Sequence, residues 1–150
     1  MKKLVSFLSA AALVAALMTA QSCAKTCDAG YEGSDCKTEM RAKFLNANGW
    51  SADETGSRSG HTVPPFTVNI NTTADGVAKV HITNMWNSFA HDVVATVNGS
   101  TFSIANQSPD ADQFSISGSG TLTGSTIAVT YSVSDTSGHT DAVTGTWTKK

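Results

Sequence analysis

Val93-Val94-Ala95-Thr96-Val97-Asn98-Gly99-Ser100-Thr101-Phe102-Ser103-Ile104 decides the fold. Val93, Ala95 and Val97 recur at a period of two, Asn98-Gly99 interrupts, and Phe102 and Ile104 resume the alternation. A period of two lines one face of a strand with apolar side chains. Asn-Gly between two such runs is the strongest short hairpin signal, because the tight turn needs positive φ at both central residues. The same grammar runs outward in both directions. Upstream, Phe66, Val68 and Ile70 meet Asp75-Gly76, which turns the chain into Ala78, Val80 and Ile82. Downstream, Phe114, Ile116 and Leu122 bracket Gly118 and Gly120, and Thr123-Gly124 leads into Ile127, Val129, Tyr131 and Val133. Ser137-Gly138 turns the chain once more, and Val143, Gly145 and Trp147 end it. With a first strand near Trp50 to Glu54, this makes about eight strands joined mostly by short turns.

The fold class is therefore all-β, an antiparallel up-and-down meander of about eight strands. Such a chain closes into a small barrel or packs as a two-layer sandwich. The barrel is favoured, because closure removes both edges and because Gly118, Gly120 and Gly145 lie where strands must bend sharply; in an open sheet the same glycines would be bulges. Ahead of the strands, Thr38 to Leu45 reads as one short helix. Thr38 is placed to cap it, Met40 and Phe44 share a face, and Arg41 and Lys43 take the other side. Thr55 to Pro65 reads as a Gly/Ser loop ending in Pro64-Pro65, where pairing stops.

The N-terminal residues carry an address. Lys2 and Lys3 precede an apolar stretch from Leu4 to Met18, the layout of a secretory signal and too short to span a bilayer. Ala20-Gln21-Ser22-Cys23 resembles the lipobox of bacterial lipoproteins, which implies cleavage before Cys23 and a covalent lipid on its sulfur. Plain secretion with the same cut after Ser22 is the alternative. Ala24 rather than Asp follows the cysteine, which in those lipoproteins implies the outer membrane, with the leaflet open. The chain has three cysteines, at 23, 27 and 36. Lipid on Cys23 accounts for the odd one and leaves Cys27 and Cys36 for one disulfide in an oxidising compartment. Between them, Gly30, Tyr31 and Gly33 supply turns with a tyrosine able to pack on the bridge. This ten-residue hook resembles the last half of an EGF-like repeat. It reads either as a rigid spacer off the membrane or as a structural cap on the β-domain. The organisation expected is thus 1–22 signal peptide, 23–37 anchor and hook, and 38–150 a short helix plus a single barrel-like domain.

Composition excludes several functions. Ten basic residues stand against twelve acidic ones, and loss of Lys2 and Lys3 with the leader leaves the mature chain at about −4. Apart from Lys149-Lys150 it has no basic run, so nucleic acid is not a partner. Catalysis finds little support. No Gly-x-Ser-x-Gly elbow, phosphate loop or His-Glu-x-x-His is present. His61, His81, His91 and His139 are scattered without metal-ligand spacing and read as surface residues, and Asp110-Ala111-Asp112 matches no calcium loop. No metal and no cofactor beyond the lipid is expected, and the chain does not read as an enzyme.

The aromatic residues divide into two groups. Phe114, Tyr131 and Trp147 fall on apolar strand faces and belong to a core. Met85-Trp86-Asn87-Ser88-Phe89 sits instead in a connection, where loops are normally polar. Met85, Trp86 and Phe89 either fold inward to plug one barrel end or form a binding rim for a small apolar molecule or a glycan. Medium-sized Val and Ile at the strand positions, as in filled eight-stranded barrels, tilt the balance to a structural or interaction role, and the lack of charged or convergent polar groups among Asn84, Asn87, Ser88 and His91 favours the plug. An apolar cavity of about 300 Å³ or more opening near Trp86 would favour the rim.

Taken together, Cys23, Gly30-Tyr31-Glu32-Gly33 and Thr38-Glu39-Met40-Arg41-Ala42-Lys43-Phe44 resemble a group of Gram-negative surface lipoproteins. In that group a lipid cysteine, a Gly-Tyr-x-Gly hook and a Thr-x-x-Arg-x-Lys-Phe helix precede a lipocalin-like β-domain. Ile82-Thr83-Asn84-Met85-Trp86-Asn87 and Gly118-Ser119-Gly120-Thr121-Leu122-Thr123-Gly124 share its look. The resemblance implies a membrane-anchored envelope protein with a structural or protein-interaction role, and supplies no activity.

Overall fold

The computed structural model describes residues 25–57 and 65–150. The expected signal segment, Cys23, His61 and Pro64 lie outside the described residues. A two-stranded antiparallel hook of β1 (Tyr31–Glu32) and β2 (Thr38–Glu39) comes first, followed by a 3-10 helix at Met40–Phe44. Then come β3 (Trp50–Gly56), β4 (Phe66–Thr72), β5 (Lys79–Thr83), a second 3-10 turn at Met85–Asn87, and β6 (Val93–Asn98). The chain ends with β7 (Thr101–Gln107), β8 (Phe114–Thr123), β9 (Thr126–Asp135) and β10 (Thr140–Lys149). Strands β3 to β10 form a closed antiparallel barrel in up-and-down order, sealed where β10 pairs β3 from Val143↔Gly56 to Lys149↔Trp50. The barrel expected from the hairpin grammar is the one formed, and the sandwich is not.

The barrel strands alternate inward, mostly apolar, with outward, mostly polar residues, and the largest inward side chains fill the interior. Trp50, Trp147, Phe44, Phe102 and Tyr131 are all at most 2% exposed. Phe102 stacks on Trp147 at 6.0 Å between ring centroids, and Phe44 meets Phe102 edge-on at 5.9 Å. The glycines make this possible by leaving room. Gly118, Gly120 and Gly145 have ordinary φ values; they are slots. A Cβ on Gly120 would stand 2.5 Å from Phe102 Cε1, and one on Gly145 would stand 2.7 Å from Glu54 Cγ. Gly120 pairs with Phe102 and Gly145 with Glu54 in register, so each missing side chain leaves room for a large inward neighbour. Where β6 and β7 diverge, Gln107 continues the ladder with its side chain, accepting from the Val94 N–H at 2.9 Å and donating to the Val94 carbonyl at 2.7 Å.

Two boundaries differ from expectation. Thr38 is no helix cap: it pairs with Glu32 in the hook, and the helix is the five-residue 3-10 segment Met40–Phe44 with Leu45 already extended. The pairing of Thr38–Glu39 holds the chain extended too late for a regular helix to start. The stretch Thr55-Gly56 is strand rather than loop, because β10 offers it Thr144 and Val143 as partners.

An up-and-down barrel sends alternate connections to opposite ends. The β4–β5, β6–β7 and β8–β9 turns share one end with the hook and the 3-10 helix, here the hook end. The β5–β6, β7–β8 and β9–β10 connections share the other, the far end.

Candidate functional site

Three clusters carry the polar chemistry. The first is the hook. Cys27 and Cys36 form the expected disulfide with Cα atoms 5.2 Å apart. In a loop of this length the chain-entropy model gives such a link on the order of 2–3 kcal/mol. Gly30 and Gly33 take φ of 90° as the turns require, and Gly30 presses on the β4–β5 turn so closely that a Cβ would meet Ala78 N at 2.7 Å. Met40 N–H donates to the Gly30 carbonyl at 2.8 Å, and Lys43 pairs with Glu32 at 2.7 Å. Arg41, expected on the solvent side of a helix, is 8% exposed. Its guanidinium donates to the carbonyls of Thr73 (3.0 Å), Gly76 (3.1 Å) and Lys79 (3.2 Å) and to Glu39 at 2.8 Å. A 3-10 helix turns its residues tighter than an α-helix, and the turn at 73–79 presents three carbonyls on that side. Of the two readings of the hook, the cap describes its contacts: it is bolted to one end of the barrel.

The second cluster is inside. Glu54 is 5% exposed, yet Tyr131 Oη donates to its Oε2 at 2.5 Å and Trp147 Nε1 to its Oε1 at 2.6 Å. Burial, then the negative charge of Glu54, hold the Tyr131 phenol far above its ordinary 10, so it stays a donor. The nearby backbone N–H of Trp86 opposes that rise only weakly. Asp141, 7% exposed on β10, lies near enough to add its own charge to Tyr131. One carboxylate thus ties β3, β9 and β10 together beside the β5–β6 connection. Buried polar groups with partners specify a unique packing, whereas unpaired ones are costly. Sequence reading missed Glu54 and Asp141, although the period was visible. Trp50-x-Ala52-x-Glu54 and Asp141-x-Val143-x-Gly145-x-Trp147 both point these acids inward.

The third cluster is the Met85–Phe89 connection at the far end. Met85 is fully buried and Phe89 is 6% exposed, while Trp86 is half-buried between Phe89 (5.8 Å) and Phe114 (5.7 Å). Asn84, Trp86 and Asn87 all take left-handed φ, at 58°, 57° and 48°. That region costs an L-residue about 1–2 kcal/mol, most for a bulky one such as Trp. Asn84 Nδ2 donates to the Thr67 carbonyl at 2.8 Å. Asp110, from the β7–β8 loop, accepts from the backbone N–H groups of Ala90 (3.0 Å) and His91 (2.8 Å) and pairs with His91 Nδ1 at 2.9 Å. Two inward side chains therefore fill the end, with the indole lying across them and part of its surface in water.

The other described histidines also face carboxylates. His139 meets Asp135 at 2.9 Å, and His81 sits between Asp75 (3.0 Å) and Asp92 (3.3 Å). Among the described residues no group of three or more His, Cys, Asp or Glu side chains is placed to hold a metal. A surface depression of about 220 Å³ is lined by Leu45, Asn46, Ala47, Ile70, Asn71 and Thr72, away from Trp86. No protein-family model matches the chain, and no curated protein matches it.

Proposed function

We propose that this chain is an exported lipoprotein, anchored through Cys23 in the outer membrane. Its barrel is a rigid envelope module with a structural or protein-interaction role, and it is not an enzyme. The observation that supports this reading is the filled interior. Trp50, Phe102, Tyr131 and Trp147 meet inside, and both oxygens of Glu54 are engaged by neighbouring donors. A lipocalin-like container would keep that space for its ligand. The hook, rigid on the barrel, suits a module held close to its anchor. Growth with a clickable fatty acid and fractionation of the cells tests the anchor: wild type labels and sediments with membranes, and Cys23→Ala does neither. Unlabelled, soluble wild type refutes the lipoprotein.

A second reading places a small apolar molecule or glycan on the Trp86 rim. The left-handed backbone at Asn84, Trp86 and Asn87 favours it, since such strain collects at binding sites. It requires retention of the protein on an array of lipids or glycans, lost in Trp86→Ala without loss of folding.

A further inference from the structure

Among the described residues the charges are unevenly divided between the two ends of the barrel, with Asp53 and His81 on the wall between. Among the described residues, every lysine and arginine lies at the hook end. Lys25 and Lys37 flank the disulfide, Lys79 opens β5 beside the hook, Lys149 ends β10, and Lys150 follows it with its Nζ donating to Thr67 Oγ1 at 2.7 Å. The backbone fixes this last pair there, Lys149 N–H donating to Ser125 O at 2.9 Å and Lys150 N–H to Gly49 O at 3.3 Å. Arg41 and Lys43 are already paired with Glu39 and Glu32. Of the acids at this end, Asp75 is matched by His81. Asp28 and Asp35 remain against five lysines, four of them exposed. The far end carries Asp110, Asp112 and Asp135, with His91 and His139 as its described basic groups, while Asp92 meets Asp75 across His81 on the wall between the ends.

The length of chain ahead of the hook adds a second constraint. Three residues separate Cys23 from Cys27, a reach of about 14 Å even when fully extended. The disulfide, Gly30 and Arg41 fix Cys27 to the barrel, so no flexible stalk intervenes after that point.

We infer that the hook end is a membrane-apposed surface, its lysines seated on the phosphate headgroups of an anionic bilayer, with the Trp86 end projecting away from it. This rests on the anchoring proposed above. A lysine near an anionic surface raises partitioning by about fivefold, and like-charge repulsion turns the aspartates of the far end outward. The ten-residue strands, tilted as small barrels require, place the two ends about 25 Å apart.

The test uses the mature, lipidated chain in vesicles of phosphatidylethanolamine and phosphatidylglycerol doped with a nickel-chelating lipid. A nitroxide is attached through Ser100→Cys at the hook end or Ser137→Cys at the far end, both exposed turn positions. Mass spectrometry of the N-terminal peptide reports the lipid on Cys23 separately. Relaxation by headgroup nickel is expected to be several-fold stronger at position 100 than at 137. The difference should narrow clearly when Lys25, Lys37, Lys79, Lys149 and Lys150 are all replaced by Gln with the lipid retained. Equal relaxation at both positions in lipidated wild type overturns the orientation and leaves the anchor standing. A difference left unchanged by the five substitutions overturns the role of the lysines. Absence of lipid on Cys23 overturns the anchor, and the orientation with it.

Discussion

Gly120→Ala should destabilise a barrel whose strands otherwise favour alanine over glycine. In an open strand position the change gains about 0.5–1 kcal/mol, because glycine loses more backbone freedom on folding. At position 120 the new methyl carbon would stand 2.5 Å from Cε1 and 3.0 Å from Cε2 of Phe102. That ring is 1% exposed and stacked on Trp147, so it has nowhere to retreat without disturbing the core. Overpacking costs about 1–3 kcal/mol, and a clash this tight belongs at the upper end, about 2–3, leaving a net loss of about 1–2.5 kcal/mol. Urea titration followed by far-ultraviolet circular dichroism reads it as a midpoint lowered by roughly 0.5–1 M. The decisive comparison is the double mutant. Phe102→Leu removes the ring atoms that the methyl would strike, so Gly120→Ala in that background should be neutral or stabilising, a coupling of at least about 1 kcal/mol. Additive free energies, or a midpoint unchanged in the single mutant, would refute the slot. Gly118→Ala offers no such rescue, because its methyl would meet Thr130 O and Tyr131 Cα, both backbone atoms, at 2.5 Å.

At Trp86, the half-buried indole predicts a loss of about 2–3 kcal/mol on substitution by Ala, short of the 3–5 of a fully buried tryptophan. Trp86→Gly should then be no worse than Trp86→Ala, since glycine accepts a φ of 57° without strain; a clearly less stable Gly variant sinks that account. The Asp110 carboxyl is held below its ordinary 3.8 chiefly by the Ala90 N–H, then by the His91 N–H and ring. A folded value below the unfolded one means that its contribution is complete above the unfolded pKa and lost as pH falls through the folded one. Stability curves of wild type and Asp110→Asn between about pH 5 and pH 2 should therefore converge at the acid end, and parallel curves would contradict the assignment.

Turn chemistry and strand period made most of the barrel legible. Asn98-Gly99, Thr123-Gly124 and Ser137-Gly138 each join the strands they were expected to join, and their glycines take the positive φ that gave the signal. The hook disulfide followed from counting cysteines. What stayed hidden depends on contacts distant in sequence. Arg41 reads as a surface residue until a turn more than thirty residues downstream turns three carbonyls toward it. Glu54 is in phase with Trp50 and Ala52, but the room for its inward carboxylate comes only from Gly145, on a strand at the other end of the chain. The left-handed backbone around Trp86 has no local signature either, since Asn84 and Asn87 tolerate that region and Trp does not advertise it.

The seam between β3 and β10 also sets the order in which the chain can fold. Trp50 finds its partner Lys149 almost a hundred residues later, so the first barrel strand waits for the last. On the export route proposed above, residues 50–56 leave the channel with one edge open and keep it until residues 143–149 follow. Contacts this remote make for slow folding, because the loop they close must be ordered before the pairing rewards it. Lateness is useful to a chain that must thread a membrane unfolded. It is hazardous once across, since an exposed strand edge recruits other edges. The hook escapes that delay. Its disulfide, its two short strands and the β4–β5 turn that Arg41 grips are all complete by Lys79, giving the emerging chain a finished end on which the remaining strands can be laid down.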